Sequence, residues 1–362
     1  MADSLLSLAR PELAELTAYA PALPEGVRVR LDANEAPPIT SPLVREVVQG
    51  AVGRVALERY PDARAIELKN AIAERTGVPQ SELLVGTGSD EVISLLLTAL
   101  ARPRGRGPAT VLVPTPTFVM YRITGRGHGW RVVEVPLDAA WDLDVGGMTK
   151  ALELMEPNIV FVASPNNPTG NRMSDERIER VLEAAKGALV VVDEAYADYA
   201  GASLRGWRSK HDNLAILRTI SKLGLAALRV GWLEGPSDVV AAVDKVRQPF
   251  NVSATSQAAA TAVMRDAWSA VLEHLGQVQR ERERLVAEMR RIERVTPLPT
   301  DANFVWVKTE KPAGDVHAGL LAQGVLVRSF HAAGGRLGMH LRVTVGTPTE
   351  NDAFLDALRR VA

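Results

Sequence analysis

Between residues 80 and 235 the chain alternates short apolar runs, at 83–86, 110–114, 131–135, 159–163, 189–193, 213–220 and 229–233, with longer amphipathic stretches. Runs such as LVVVD and IVFVA are rich in β-branched residues and apolar almost throughout rather than at every second position. Both faces of such strands must therefore be buried. Strands of this kind joined by helices form a mostly parallel sheet covered on both sides, an α/β fold. The intervening helices open on acidic turns: Ser89-Asp90-Glu91 stands before VISLLLTALA and Ser174-Asp175-Glu176 before RIERVLEAA. Small polar residues there are cap candidates, and carboxylates suit the positive end of a helix dipole.

From about residue 237 to 293 the pattern is helical and ends in QRERERLVAEMRRIER, a solvated face on which acids balance bases. After Val295-Thr296-Pro297-Leu298-Pro299 strand patterns restart at 303–308, 325–329 and 339–345, with helices between and after, which predicts a smaller α+β unit. The opening, with Pro21, Pro24, Pro37, Pro38 and Pro42, predicts an extended arm. The expected division is an arm with part of the small domain at 1–40, a large domain at 41–280 and a small C-terminal α+β domain at 281–362.

The 42 basic and 43 acidic residues leave a net charge of −1, so no basic field draws in nucleic acid or anionic lipid. The longest nearly apolar stretch, 92–101, is half of the roughly 20 residues a membrane span requires. The N-terminal residues show no secretory pattern, so a cytoplasmic protein acting on small molecules is expected. Cysteine is absent and the six histidines show no pair at metal-ligand spacing, so no metal is expected.

Four segments can carry chemistry. Val85-Gly86-Thr87-Gly88-Ser89-Asp90-Glu91 joins a strand to a helix N-terminus, where glycine admits a ligand and free N–H groups attract an anion; a plain capped turn is the alternative. Ser164-Pro165-Asn166-Asn167-Pro168-Thr169-Gly170 follows a strand at the carboxyl edge, where parallel sheets place ligands; a simple turn would look similar. In Val192-Asp193-Glu194-Ala195-Tyr196 a carboxylate ends a buried strand and a phenol follows three residues later; Asp193 could instead cap a helix. The fourth is Arg218-Thr219-Ile220-Ser221-Lys222, with Arg229 seven positions on. Of the eight lysines, at 69, 150, 186, 210, 222, 245, 308 and 311, Lys222 follows a buried strand amid hydroxyls and arginine, a setting for an amine that attacks a carbonyl beside a phosphate.

In this order, the four segments resemble the site of the fold-type-I, aspartate-aminotransferase-like enzymes that use pyridoxal 5'-phosphate. Within that superfamily the chain most resembles the histidinol-phosphate aminotransferases, through Tyr19 with Pro21, Leu31-Asp32-Ala33-Asn34-Glu35, Arg59-Tyr60-Pro61-Asp62, Pro116-Thr117-Phe118 with Met120-Tyr121, Ala302-Asn303-Phe304, Val327-Arg328 and Leu341-Arg342-Val343-Thr344-Val345-Gly346-Thr347. The resemblance spans Tyr19 to the final helix. It implies a large domain with a seven-stranded, mostly parallel sheet between helices, and a homodimer. It also implies transfer of the amino group of histidinol phosphate to 2-oxoglutarate, in histidine biosynthesis. By the same resemblance Lys222 holds the cofactor aldehyde, Asp193 pairs with its ring nitrogen, Asn167 and Tyr196 face its phenolic oxygen and Phe118 stacks on its ring. Gly88, Ser89, Asp90, Thr219, Ser221 and Arg229 would take the phosphate, with Tyr60 from the neighbouring subunit. Tyr19, Asn34, Arg328 and Arg342 would hold substrate. The interval from Lys222 to Arg229 is one residue shorter than usual in the family, so the turn after Lys222 is expected to differ. An aromatic-amino-acid aminotransferase or a threonine-phosphate decarboxylase of the same fold is the alternative. A non-catalytic regulator that binds the same cofactor would normally carry a basic helix-turn-helix, and only a short acidic arm precedes this fold.

Overall fold

The computed structural model describes residues 8–18 and 24–362. Twelve strands, β1 (Val29–Leu31), β2 (Leu83–Thr87), β3 (Thr110–Thr115), β4 (Arg131–Pro136), β5 (Ile159–Ala163), β6 (Leu189–Asp193), β7 (Leu214–Thr219), β8 (Val230–Glu234), β9 (Val295–Pro297), β10 (Phe304–Thr309), β11 (Val325–Ser329) and β12 (His340–Thr344), form two sheets among the described residues. The first has the order β2-β8-β7-β6-β5-β3-β4. Its ladders are parallel except at β8, which runs against both neighbours. All seven strand runs expected between residues 80 and 235 thus fall in one sheet.

The continuous apolar runs split between two cores by side-chain alternation. Val111, Val113, Phe161, Val191, Ala215 and Leu217 pack on one face with the helix Gly88–Ala99. Leu112, Val160, Val162, Val190, Val192 and Ile216 pack on the other with Met148, Leu152, Ile178, Val181 and Leu182 from the helices Val145–Met155 and Asp175–Ala184. Burying both faces is what makes such runs read as strands.

The second sheet has the order β1-β11-β12-β10-β9 and is antiparallel except for β1, which lies parallel to β11. Residues 29–31, within the expected arm, therefore form its edge. The 22-residue helix Trp268–Met289 leads from the first sheet to the second and buries Leu275, Val278, Leu285 and Met289 in a core shared with Val305, Val307 and Val343.

One capping expectation is corrected. The first helix of the large sheet opens at Gly88 with Thr87 at its N-cap, so Ser89, Asp90 and Glu91 form the first turn rather than a cap before it. Gly88 has φ +76°, a left-handed turn that glycine adopts without strain and that starts the helix two residues early.

Candidate active site

Because six strands of the large sheet run the same way, the carboxyl ends of β2, β5, β6 and β7 share one edge, where the four sequence segments converge. At one corner a Cβ added to Gly88 would lie 2.5 Å from the Arg229 guanidinium, and one added to Gly231 would lie 2.5 Å from the Ser89 nitrogen. Only glycine lets β8 and the arginine lie this close to the helix start. Two short turns, Ser221–Leu223 and Ala226–Leu228, bring Arg229 back to this corner across its shortened interval. Arg229 adopts φ +52° and reaches Asp90 at 3.5 Å and Ser221 Oγ at 3.5 Å. Thr219 Oγ1 accepts from the Ser221 amide at 3.1 Å. Ser89 and Ser221 hydroxyls, helix N–H groups and a guanidinium make a site for a phosphate dianion.

At the centre, Asp193 ends β6 and is 5% exposed. Its Oδ2 accepts from the Tyr121 hydroxyl at 2.6 Å and its Oδ1 from the Ala195 amide at 3.0 Å. Burial raises this carboxyl to about 6, against the pull of the phenol, the amide and the Lys222 charge. Tyr121 is fully buried, stacked on Phe161 at 4.6 Å and edge-on to Phe118 at 5.5 Å. Burial and the neighbouring carboxylate push its phenol well above the usual range, so it remains a donor. In the sequence Tyr121 stands out only as part of the string Pro116-Thr117-Phe118 with Met120-Tyr121. Its bond to Asp193 joins residues 72 apart and leaves no local signal.

Lys222 lies in the turn after β7, with its Nζ 5.8 Å from the Tyr196 ring centre and its carbonyl accepting from the Tyr199 hydroxyl at 2.6 Å. Among the described residues its amine carries no hydrogen bond or ion pair. Behind it, on the opposite face of the sheet, Glu194 accepts from Arg218 at 2.9 Å, Ser203 at 2.6 Å and the Leu204 amide at 2.6 Å, while Arg218 also pairs with Asp198 at 2.8 Å. This buried network fixes the residues that follow Asp193 and precede Thr219.

The third corner joins the two sheets. Asn34, in a left-handed turn at φ +56°, donates from Nδ2 to the Tyr196 hydroxyl at 2.9 Å, and its backbone amide donates to Thr344 Oγ1 at 3.0 Å. Arg342, 8% exposed, donates to Asn167 Oδ1 at 2.7 Å and to the Asp32 carbonyl, with its guanidinium 5.5 Å from the Phe304 ring centre. The Arg342 bond takes the oxygen of the Asn167 amide and leaves its NH₂ as the remaining donor. Phe304 meets Tyr196 edge-on at 5.1 Å. Arg328 and Arg342 are directly opposed in the β11–β12 ladder, so both side chains leave the same face. Arg328 is exposed and, among the described residues, forms no ion pair with an acid. Tyr60 stands apart from this centre: it is 81% exposed and stacks on Phe250 at 4.7 Å. Tyr19 lies outside the described residues.

The centre thus sets an amine with no hydrogen bond or ion pair among the described residues near a buried carboxylate, beside a glycine-lined helix start that could hold an anion on one side and Arg342, with Arg328 opposite it in the ladder, on the other. The model of the family described as "Aminotransferase class I and II" matches residues 28–358. The chain belongs to this family. As an aminotransferase it is 39% identical over 371 residues to the histidinol-phosphate aminotransferase of Methylibium petroleiphilum, covering 100% of this chain and 96% of that protein. It is also 39% identical to the histidinol-phosphate aminotransferase of Aquifex aeolicus, over 91% of each chain. Among solved structures, the histidinol-phosphate aminotransferase of Sinorhizobium meliloti in complex with pyridoxal-5'-phosphate superposes with a TM-score of 0.85 at 26% identity, covering 99% of this chain and 98% of that one. An L-threonine-O-3-phosphate decarboxylase from Porphyromonas gingivalis, at 19% identity and TM-score 0.76, shares the fold. No helix among the described residues is long and apolar enough to cross a membrane.

Proposed function

We propose that this aminotransferase binds pyridoxal 5'-phosphate and converts L-histidinol phosphate and 2-oxoglutarate to imidazole acetol phosphate and L-glutamate, in histidine biosynthesis. The observation that carries the choice of substrate is the direct opposition of Arg328 and Arg342 on one sheet face. Side chains that leave one sheet face from directly opposed positions can reach a single anionic group together, the kind of charge-assisted grip that suits a phosphate or a carboxylate. Both substrates bring one, a phosphate in the donor and carboxylates in the acceptor. The names of the relatives support the same reading.

The residues fit the cofactor. The glycine-lined cradle at Gly88 suits its phosphate, the Lys222 amine its aldehyde, and the buried Asp193 carboxylate, bonded to no cation among the described residues, its ring nitrogen. When bound, pyridoxal phosphate supplies a carbonyl that captures amines and a ring that takes up the electron pair left on the substrate α-carbon. The Lys222 amine takes the proton from that carbon and returns it at the next position, acting as base and then acid. Asp193 keeps a proton on the ring nitrogen, and Tyr121 holds the carboxylate in place. Asn34 bonds the Tyr196 hydroxyl and Arg342 bonds the Asn167 amide oxygen, which leaves a donor on each that would hold the cofactor's phenolic oxygen. Phe118 would stack on the ring, and Gly88, Ser89, Asp90, Thr219, Ser221 and Arg229 would hold the phosphate.

Arg342→Ala is expected to weaken kcat/KM for histidinol phosphate tenfold to a hundredfold or more, since a charge-assisted bidentate bond contributes roughly 1.5–3 kcal/mol. Unphosphorylated histidinol should suffer far less. Equal losses for the two donors in steady-state kinetics would show that the arginine does not read the phosphate, and would favour an aromatic-amino-acid aminotransferase.

The reading includes a cytoplasmic homodimer, with domain limits near residues 40 and 280. Tyr60, exposed beside the equally exposed Leu57, supports a role in the neighbouring subunit's phosphate site. Mixing Tyr60→Phe with Lys222→Ala subunits puts both lesions into one site of a heterodimer and leaves the other intact, so activity should partly recover. A fully active monomer in sedimentation would refute the shared site.

A further inference from the structure

We propose that Arg336 is a substrate-positioning residue: by clamping the β11–β12 connection onto Trp141, it holds Arg328 and Arg342 where one anionic group meets both. The inference rests on the reading of these arginines as an anion site. The connection, residues 330–339, links the two strands that carry them. It is built of two short turns, His331–Ala333 and Gly335–Met339, with Gly334 at φ +65° and Gly335 at φ +53°. Residues 331–336 are exposed, so packing alone holds this backbone weakly.

Arg336 ties it across to the large-sheet side. Its guanidinium carbon lies 3.3 Å from the Trp141 ring centre, and its nitrogens donate to the carbonyls of Asp138 at 2.8 Å, Leu137 at 3.3 Å and Ala139 at 3.4 Å. A planar guanidinium can stack on an indole and donate at its rim together, which an ammonium cannot. Trp141 itself adopts φ +64°, a left-handed conformation that a bulky side chain tolerates only where its surroundings hold it.

The clamp passes directly to the arginine strands. His340 Nδ1 donates to the Arg336 carbonyl at 2.7 Å, and the His340 ring stacks on Trp306 at 4.8 Å. Trp306 is opposite Arg342 in the β10–β12 ladder, as Arg342 is opposite Arg328. Phe330, at the other end of the connection, meets Trp306 edge-on at 4.9 Å, and Trp141 meets both Trp306 and His340 edge-on. Both ends and the middle of the loop therefore lock onto one aromatic cluster beside Arg342. Releasing the middle lets the strand ends shift, and a displacement of the arginines by an ångström is enough to weaken an anion they grip together.

The test compares wild type, Arg336→Ala and Trp141→Phe as holoenzymes, using glutamate formation, inhibition by inorganic phosphate, and amide hydrogen exchange over residues 331–339. Arg336→Ala should raise KM for histidinol phosphate and the inhibition constant of phosphate about tenfold, with kcat within about twofold. The KM for histidinol should move much less, and exchange over 331–339 should accelerate while the large sheet stays protected. Trp141→Phe, which keeps a smaller aromatic face, should shift each quantity the same way by less. Faster loop exchange with unchanged phosphate inhibition would overturn the proposal, as would weaker phosphate inhibition with unchanged exchange. A wild type that does not prefer the phosphorylated donor would sink the substrate reading instead, and phosphate inhibition with loop exchange would still decide the role of Arg336.

Discussion

Lys222→Ala is expected to lower kcat by about four orders of magnitude or more, because in the proposed mechanism one amine both holds the cofactor and moves the proton at the reacting carbon. The loss should be confined to chemistry. Pyridoxal phosphate should still be retained through dialysis, since on the proposed reading Gly88, Ser89, Thr219, Ser221 and Arg229 hold its phosphate without the lysine amine. Single-turnover kinetics and cofactor retention check the two halves separately. Borohydride treatment of the wild type should fix the cofactor to Lys222 and to no other of the eight lysines. A peptide map placing it elsewhere would end the assignment.

The second large effect belongs to Asp193. Asp193→Ala should reduce turnover by several orders of magnitude, each tenfold step being about 1.4 kcal/mol of barrier, whereas Asp193→Glu should do less harm. The same carboxylate makes a stability prediction. Burial raises it from 3.8 to about 6, so between these values the folded protein binds more protons than the unfolded chain. Stability therefore falls as pH rises through this window. In the cofactor-free protein, wild type should lose roughly 2 kcal/mol relative to Asp193→Asn between about pH 4 and pH 7. Loading with cofactor should remove that slope, because a cationic ring nitrogen holds the carboxyl ionised. Denaturant unfolding at several pH values reads this directly. A wild type and Asp193→Asn with parallel pH profiles, together with near-normal turnover in Asp193→Ala, would mean that the carboxylate serves only to hold Tyr121 and the Ala195 amide.

What could be read from the chain divides along physical lines. Most strands of the large sheet were legible because they are buried on both faces and so write nearly continuous apolar runs, as in Ile159–Ala163 and Leu189–Asp193, whereas β4, at the sheet edge, is largely exposed and shows only a short apolar run. Val29–Leu31 and Val295–Pro297 have three residues each, too few to show a period, and are strands only because β11 and β10 offer them an edge. Lys222, Asp193 and Asn167 were legible because strand ends fix where the side chains that follow will go. The Tyr121–Asp193 and Asn34–Tyr196 bonds were not, since each joins distant segments through one atom pair. Arg336 sat in a glycine-rich stretch that reads as an ordinary turn. Its partner Trp141 lies in another loop, and only the packing of one sheet against the other brings them together.

The central claim, that this aminotransferase takes its amino group from histidinol phosphate, is tested most directly by one coupled assay. Purified holoenzyme is given 2-oxoglutarate with histidinol phosphate, histidinol, phenylalanine or tyrosine, and glutamate formation is followed. The opposed arginines predict a kcat/KM for histidinol phosphate about tenfold to a hundredfold or more above that for histidinol, the span that one strong charge-assisted grip on a phosphate provides. Phenylalanine and tyrosine should be poorer donors still. Equal rates with histidinol, or a preference for either aromatic amino acid, would contradict the account.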